Sequence, residues 1–135
     1  MDLSKLVAVS GMPGLYRMVS NKSNGLIVEH IETGKRTFAS ARKHQFTPLE
    51  SIAIFTDDGD SVPFKEVLQR IKALEGEVPV PSASEPADVL REWFTKVLPN
   101  HDRSRVYNGD IKKIVKWYAL LDAQGIIELS SEEEE

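Results

Sequence analysis

Between Gly14 and Thr56, short runs of β-branched, aromatic or alternating residues are each bounded by turn chemistry, and this stretch limits the folds open to the chain. The runs are Leu15 to Val19, Gly25 to Ile31, Arg36 to Ala41 and Ile52 to Phe55. Asn21-Lys22-Ser23-Asn24-Gly25 joins the first two, and its Asn-Gly pair is a hairpin signal because both residues tolerate positive φ. Glu32-Thr33-Gly34-Lys35 makes a tighter turn, with Gly34 free to be left-handed. Two successive hairpins give a meander. Leu3 to Val9, closed by Ser10-Gly11-Met12-Pro13-Gly14, adds a first strand or a short helix. Ile27 and Ile31 share a strand face with Glu29, and Leu26, Val28 and His30 share the other, so both faces carry apolar weight. Short strands and tight turns predict a strongly bent sheet, a small antiparallel β-barrel of the SH3-like type in an α+β protein.

Beyond Phe55 the chain reads as helical. Thr56-Asp57-Asp58-Gly59-Asp60 reads as an exposed acidic loop, and Pro63 suits a first helical position. Phe64, Val67, Leu68, Ile71 and Leu74 then form an amphipathic stripe that ends before Gly76, and this helix is expected to cap the barrel. Residues 1–75 thus make the barrel with its capping helix, and the proline-rich stretch 76–85 is a linker. A helical C-terminal unit spans 86–129 and an acidic tail 130–135. In that unit Ser84 is the expected cap and Pro86 a first-turn residue of a helix burying Val89, Leu90, Trp93, Phe94 and Val97, with Pro99 ending it. A last helix from about Asp110 buries Ile111, Ile114, Val115, Tyr118 and Leu121 and stops at Gly125. Ile126 to Leu129 reads as a short strand or extended return.

Charge is unevenly placed along the 135 residues. Overall it is −4, but residues 1–75 hold ten Lys and Arg against nine Asp and Glu, and Glu132 to Glu135 supply much of the deficit. The run of four Glu favours disorder in the tail by self-repulsion. From Gly14 to Pro48 the local balance is +4, because six cations face only Glu29 and Glu32. No stretch approaches the roughly 20 apolar residues of a membrane span, so no membrane partner is expected. The absence of cysteine excludes disulfides, thiolate zinc sites and a cysteine nucleophile, and suits a soluble cytoplasmic protein.

The ordered segments MDLSKLVAVSGMPGLYRMVS, TGKR, LESIAIFTDD, VPFKEVL and DIKKIVKWYALL resemble a small family of uncharacterised bacterial proteins over nearly the whole chain. The resemblance implies an SH3-like barrel-type N-terminal domain and a helical C-terminal domain. It carries no activity, cofactor or catalytic residue.

The motifs argue against catalysis. His30, His44 and His101 show no HxH, HxxxH or HExxH spacing, so no metal ligand set is assigned. Twelve residues from Asp57 stands Leu68 where a calcium loop needs Glu. No phosphate-binding glycine loop and no GxSxG elbow occurs. No catalytic residue and no cofactor is therefore assigned, and an enzyme with an unrecognised site is only an alternative. Arg17, Lys35, Arg36, Arg42 and Lys43, interleaved with Tyr16, Phe38 and Phe46, are a candidate polyanion-binding face for RNA or DNA, against the plainer expectation that the rings are core and the cations solvated. Lys112, Lys113 and Lys116 line one side of the last helix, but the ten-residue connection before it is too long for a helix-turn-helix. Trp93, Phe94, Trp117 and Tyr118 are a candidate protein interface, including a homodimer, or else the mini-core of the helical unit. The leading expectation is a non-enzymatic protein-binding adaptor, with nucleic-acid binding as the alternative.

Overall fold

The structure is a computed structural model that describes residues 2–127. It is a mixed α+β chain of two compact units, Asp2–Ile52 and the residues from Ala53 onward. In the first unit β1 (Leu6–Val9), β2 (Tyr16–Lys22), β3 (Gly25–His30), β4 (Arg36–Ser40) and β5 (Phe46–Pro48) form one antiparallel sheet in the order β4-β3-β2-β1-β5. Leu6–Val9 is a strand, which resolves the strand-or-helix alternative. A 3-10 turn over Leu49–Ser51 ends the unit.

The sheet is not closed into a barrel: β4 and β5 are its two edges. Closure would need a ladder between them, and β5 offers three residues, one of them Pro48 with no N–H. The run Ile52 to Phe55 does not join this sheet either. Ala53–Phe55 (β6) pairs with Ser61–Pro63 (β7) in a separate hairpin of the second unit, and Phe46–Pro48 takes the place expected of it. The acidic loop between β6 and β7 explains that local pairing. Gly59 sits at φ 86°, Thr56 Oγ1 donates to Asp58 Oδ1 at 2.6 Å, and Asp60 N donates to the same oxygen at 3.1 Å. The Thr56 hydroxyl, followed by the Asp60 N–H, holds the Asp58 carboxyl below its ordinary value.

Two glycines in the sheet act differently. Gly34 takes the left-handed conformation, φ 75°, as its turn requires. Gly25 does not have positive φ, and neither does Asn24; the turn residues are Ser23 and Asn24, and Gly25 is the first residue of β3, paired with Lys22. A Cβ there would run into the Ala39 carbonyl and come within 2.9 Å of the Phe38 ring, so Gly25 is present for close approach to β4. The core of the sheet is Val7, Val9, Tyr16, Val28 and Ala39, with Met12, Met18, Leu26 and Phe46 packed on it. β2 carries a register shift between Met18 and Ser20, which bends the strand.

The second unit joins the β6–β7 hairpin to α1 (Phe64–Leu74), α2 (Ala87–Val97) and α3 (Asn108–Ala123). The helix over Phe64–Leu74 therefore belongs with the later helices, and the division falls after Ile52 rather than after residue 75. Its stripe is as the periodicity predicts, with Phe64, Val67, Leu68 and Ile71 buried. In α2 Leu90, Trp93, Phe94 and Val97 are buried and Val89 is exposed. In α3 Ile111, Ile114, Val115, Tyr118 and Leu121 are buried. Pro63 and Pro86 each stand one position before their helix, and Ser84 bonds to Ser82 instead of capping α2. Gly125 at φ 70° ends α3 as expected. Ile126 and Ile127 form no strand, and the rest of that expected segment, like the acidic tail, lies outside the described residues.

Gly25→Ala is expected to lower the stability of the sheet unit by about 1–3 kcal/mol through overpacking against β4, read as a lower urea midpoint. Gly34→Asn, in an open left-handed turn where no atom stands within 4 Å of the missing Cβ, is expected to cost less.

Candidate functional site

The ladder parity of β3 and β4 decides what the β4 edge presents. His30 N donates to Lys35 O at 2.9 Å and Ala41 N donates to Asn24 O at 2.9 Å. In an antiparallel pair the bonded and non-bonded positions alternate, so Thr37 and Ala39 turn their backbone groups to β3. Arg36, Phe38 and Ser40 therefore turn theirs to the free edge. On the opposite edge the parity of β1 and β5 turns Phe46 and Pro48 outward, and Pro48 has no N–H to offer. On the β4 edge the Ser40 carbonyl accepts Lys43 N at 3.2 Å and His44 N at 3.0 Å, and Arg36 and Phe38 carry no such block.

The side chains of Arg36, Phe38 and Ser40 share the outer face, where register aligns Arg17, Glu29 and Arg36 in a row across β2, β3 and β4. Arg36 Nε donates to Glu29 Oε1 at 3.0 Å. Both side chains are solvated enough that this pair contributes little to stability. Phe38 is 43% exposed, its ring laid over Gly25, and Val19 on β2 is 39% exposed. Lys35 immediately precedes β4, and Arg42 and Lys43 follow it in a turn where Arg42 N donates to Ser40 Oγ at 3.1 Å. All five candidate cations, Arg17, Lys35, Arg36, Arg42 and Lys43, are exposed, and four of them bracket β4. Of the three rings proposed to accompany them, Tyr16 is in the core, Phe46 packs against it, and Phe38 is at the surface.

The aromatic set of the second unit is core. Trp93, Phe94 and Tyr118 are at most 5% exposed, and Trp117 is half-buried with its ring 5.9 Å from Phe64. Helical periodicity points these side chains inward, the arrangement of the mini-core alternative. The Tyr118 hydroxyl donates to Glu75 Oε1 at 3.1 Å. Burial, then the Asp122 and Glu75 charges, push it well above the ordinary phenol range. Lys72 bridges Asp122 at 3.0 Å and Glu75 at 3.2 Å, and those bonds raise its pKa.

The three histidines are apart in their duties. His44 Nδ1 is 2.7 Å from Ser10 O and so donates to it. His30 accepts backbone N–H groups at Nδ1. His101, 1% exposed, donates from Nδ1 to Leu98 O at 2.8 Å and accepts at Nε2 from Arg91 Nη1 at 3.3 Å. That pattern needs a neutral ring. Burial lowers its pKa against the pull of the Leu98 carbonyl, and Arg103 and Arg91 lower it further, while Asp102 acts weakly the other way. Arg91 also donates to Val106 O at 2.8 Å and Asn108 Oδ1 at 2.9 Å, a partly buried polar junction that no sequence motif announced. The same connection is stitched to the hairpin by Asp57 N to Asn100 O and Asp102 N to Phe55 O, both 2.8 Å. Among the described residues no group of three or more His, Cys, Asp or Glu is placed to hold a metal ion, and no helix is long and apolar enough to cross a membrane.

A histidine with a depressed folded pKa takes up its proton more readily when unfolded, so stability should fall as pH drops below the ordinary value of about 6.5. Urea midpoints at about pH 7.5 and about pH 5.5 should differ in that direction, and His101→Gln should flatten the difference while lowering both midpoints.

Residues 52–121 match the family described as a domain of unknown function (DUF6852), and residues 3–49 match a second such domain (DUF5606). The two matches meet where the chain divides into its two units. The solution NMR structure of a protein from Bacteroides vulgatus is similar, with 39% sequence identity and a TM-score of 0.76 over 99% of this chain and 96% of that one. No curated protein matches the chain.

Proposed function

The chain belongs to the DUF6852 family, a domain of unknown function, and we propose that it is a non-enzymatic bacterial adaptor, cytoplasmic, whose N-terminal sheet binds an acidic, extended segment of a partner protein along β4. The observation that carries this is the β4 edge itself. Arg36 and Phe38 offer unblocked backbone groups there, the Ser40 carbonyl being taken by the Lys43 and His44 N–H groups, with an exposed ring at the centre and cations at both ends. A strand added to that edge gains main-chain hydrogen bonds for affinity and a side-chain contact on Phe38 for selection. The strand order, in which β5 returns to β1 and a 3-10 turn comes next, supports an SH3-like sheet left open on the β4 side.

Charge selects the partner. A second copy pairing antiparallel on the same edge would bring Lys35, Arg36 and Arg42 of both copies together, and like charges at that range oppose the dimer. An acidic strand would neutralise them. Nucleic acid is the less favoured reading, because two of the three rings that would stack bases are committed to the core and Arg36 is paired with Glu29.

Fluorescence anisotropy should show saturable binding of a labelled peptide alternating Glu and Val, with Arg36→Glu combined with Arg42→Glu weakening it about tenfold, or ~1.4 kcal/mol. Absence of peptide binding, together with tight, steeply salt-dependent binding of a single-stranded RNA probe, would replace the adaptor with a nucleic-acid module.

A further inference from the structure

At one end of the N-terminal sheet, the Gly11–Pro13 turn faces the turn between β3 and β4 across a cavity of about 300 Å³. That is the lower end of the range used for small-molecule sites. Met12, Pro13 and Tyr16 line it as an apolar wall, and His30, Lys35 and Thr37 bring the polar groups. No carboxylate lines it.

His30 is fixed in advance. Its ring meets the Tyr16 ring edge-on, with centroids 5.1 Å apart at 87°, and Tyr16 is itself anchored by a hydrogen bond from its hydroxyl to Pro13 O at 3.1 Å. Two backbone N–H groups, from Glu32 at 3.2 Å and Thr33 at 3.4 Å, donate to Nδ1. An acceptor at Nδ1 places the proton of the neutral ring on Nε2. That Nε2–H has no protein acceptor among the described residues. Gly14, at φ 88°, packs close to the ring, and a Cβ there would come within 2.8 Å of Nε2. Lys35 carries the one formal positive charge of the lining and forms no ion pair among the described residues.

We propose that this cavity is a binding site for a small organic carboxylate, its charged end at His30 Nε2–H and Lys35 and its apolar body against Met12, Pro13 and Tyr16. One lysine and one neutral imidazole donor match a single negative charge; a phosphate dianion would find neither an arginine fork nor a helix N-terminus here. The site shares Thr37 with β4 and Lys35 with its flank, but its small-acid ligand does not require the adaptor function.

The test is an NMR titration of the full chain with phenylacetate, with the uncharged isostere phenylacetamide alongside. Saturable shifts of the His30 Cε1–H and of the Lys35 and Thr37 amides are expected with phenylacetate, and binding about tenfold weaker with the amide, the scale of one charge-assisted hydrogen bond. Lys35→Met should weaken the acid to the level of the amide, and Thr37→Phe, at an exposed strand position, should fill the cavity and abolish both. Displacement of phenylacetate by the Glu-Val peptide would place the carboxylate on a partner segment, and its retention would place it on a free small acid; either result keeps the site. The proposal is overturned if phenylacetate gives no saturable shift at about 10 mM, if the amide binds equally well, or if both variants bind as the wild type does.

Discussion

Every backbone N–H and C=O in a sheet must find a partner or meet water, and the two edges of this sheet differ in how many such groups they leave to water. On the β5 side, Pro48 removes a donor. On the β4 side, the registers that seat Val28 and Ala39 in the core also turn Arg36, Phe38 and Ser40 outward. The edge is therefore a consequence of the core: a one-residue slip that hid those groups would also move Ala39 to the solvent face. Gly25 holds this register, because only a residue without Cβ lets β3 approach the Ala39 carbonyl while the Phe38 ring lies across it. In the adaptor function we propose, cations at both ends of β4 oppose a second copy and attract an acidic segment.

In the second unit the corresponding constraint is the junction of the buried His101 with the partly buried Arg91. A neutral imidazole and a guanidinium share their donors among Leu98 O, Val106 O and Asn108, and the connection between α2 and α3 is tied to β6 through backbone bonds on either side. With Trp93, Phe94 and Tyr118 packed inward, this unit uses its large aromatic residues for its own cohesion. Burial of the neutral His101 ring makes it one of the groups through which acid is expected to destabilise the unit.

The helices were legible because a 3.6-residue period over ten or more positions is a strong signal: Phe64 to Ile71 and Ile111 to Leu121 bury as spaced. The first three turn-bounded strands were legible for the same reason at period two, although Leu15 and Ile31 fall just outside them. The three-residue strands were not. Phe46–Pro48 is too short for alternation to register and contains a proline, and Ala53–Phe55 reads equally well as a strand of either sheet until its partner, Ser61–Pro63, is known. The five cations stand out in the composition of Gly14 to Pro48, but their arrangement around an edge depends on parity, which composition does not carry. Nor could spacing tell that Tyr16 faces the core while Phe38 faces water, since both lie in alternating strands. The His30 cavity depends on two turns distant in sequence.

Native-state amide hydrogen exchange along β4 tests the open edge most directly. In the free protein Thr37 and Ala39 should be protected, and Arg36, Phe38 and Ser40 should exchange faster, an alternation that arises from bonds made to β3 alone. Equal protection of all five amides would mean that β4 is paired on both sides, by closure of the sheet or by a second copy, and would contradict the account.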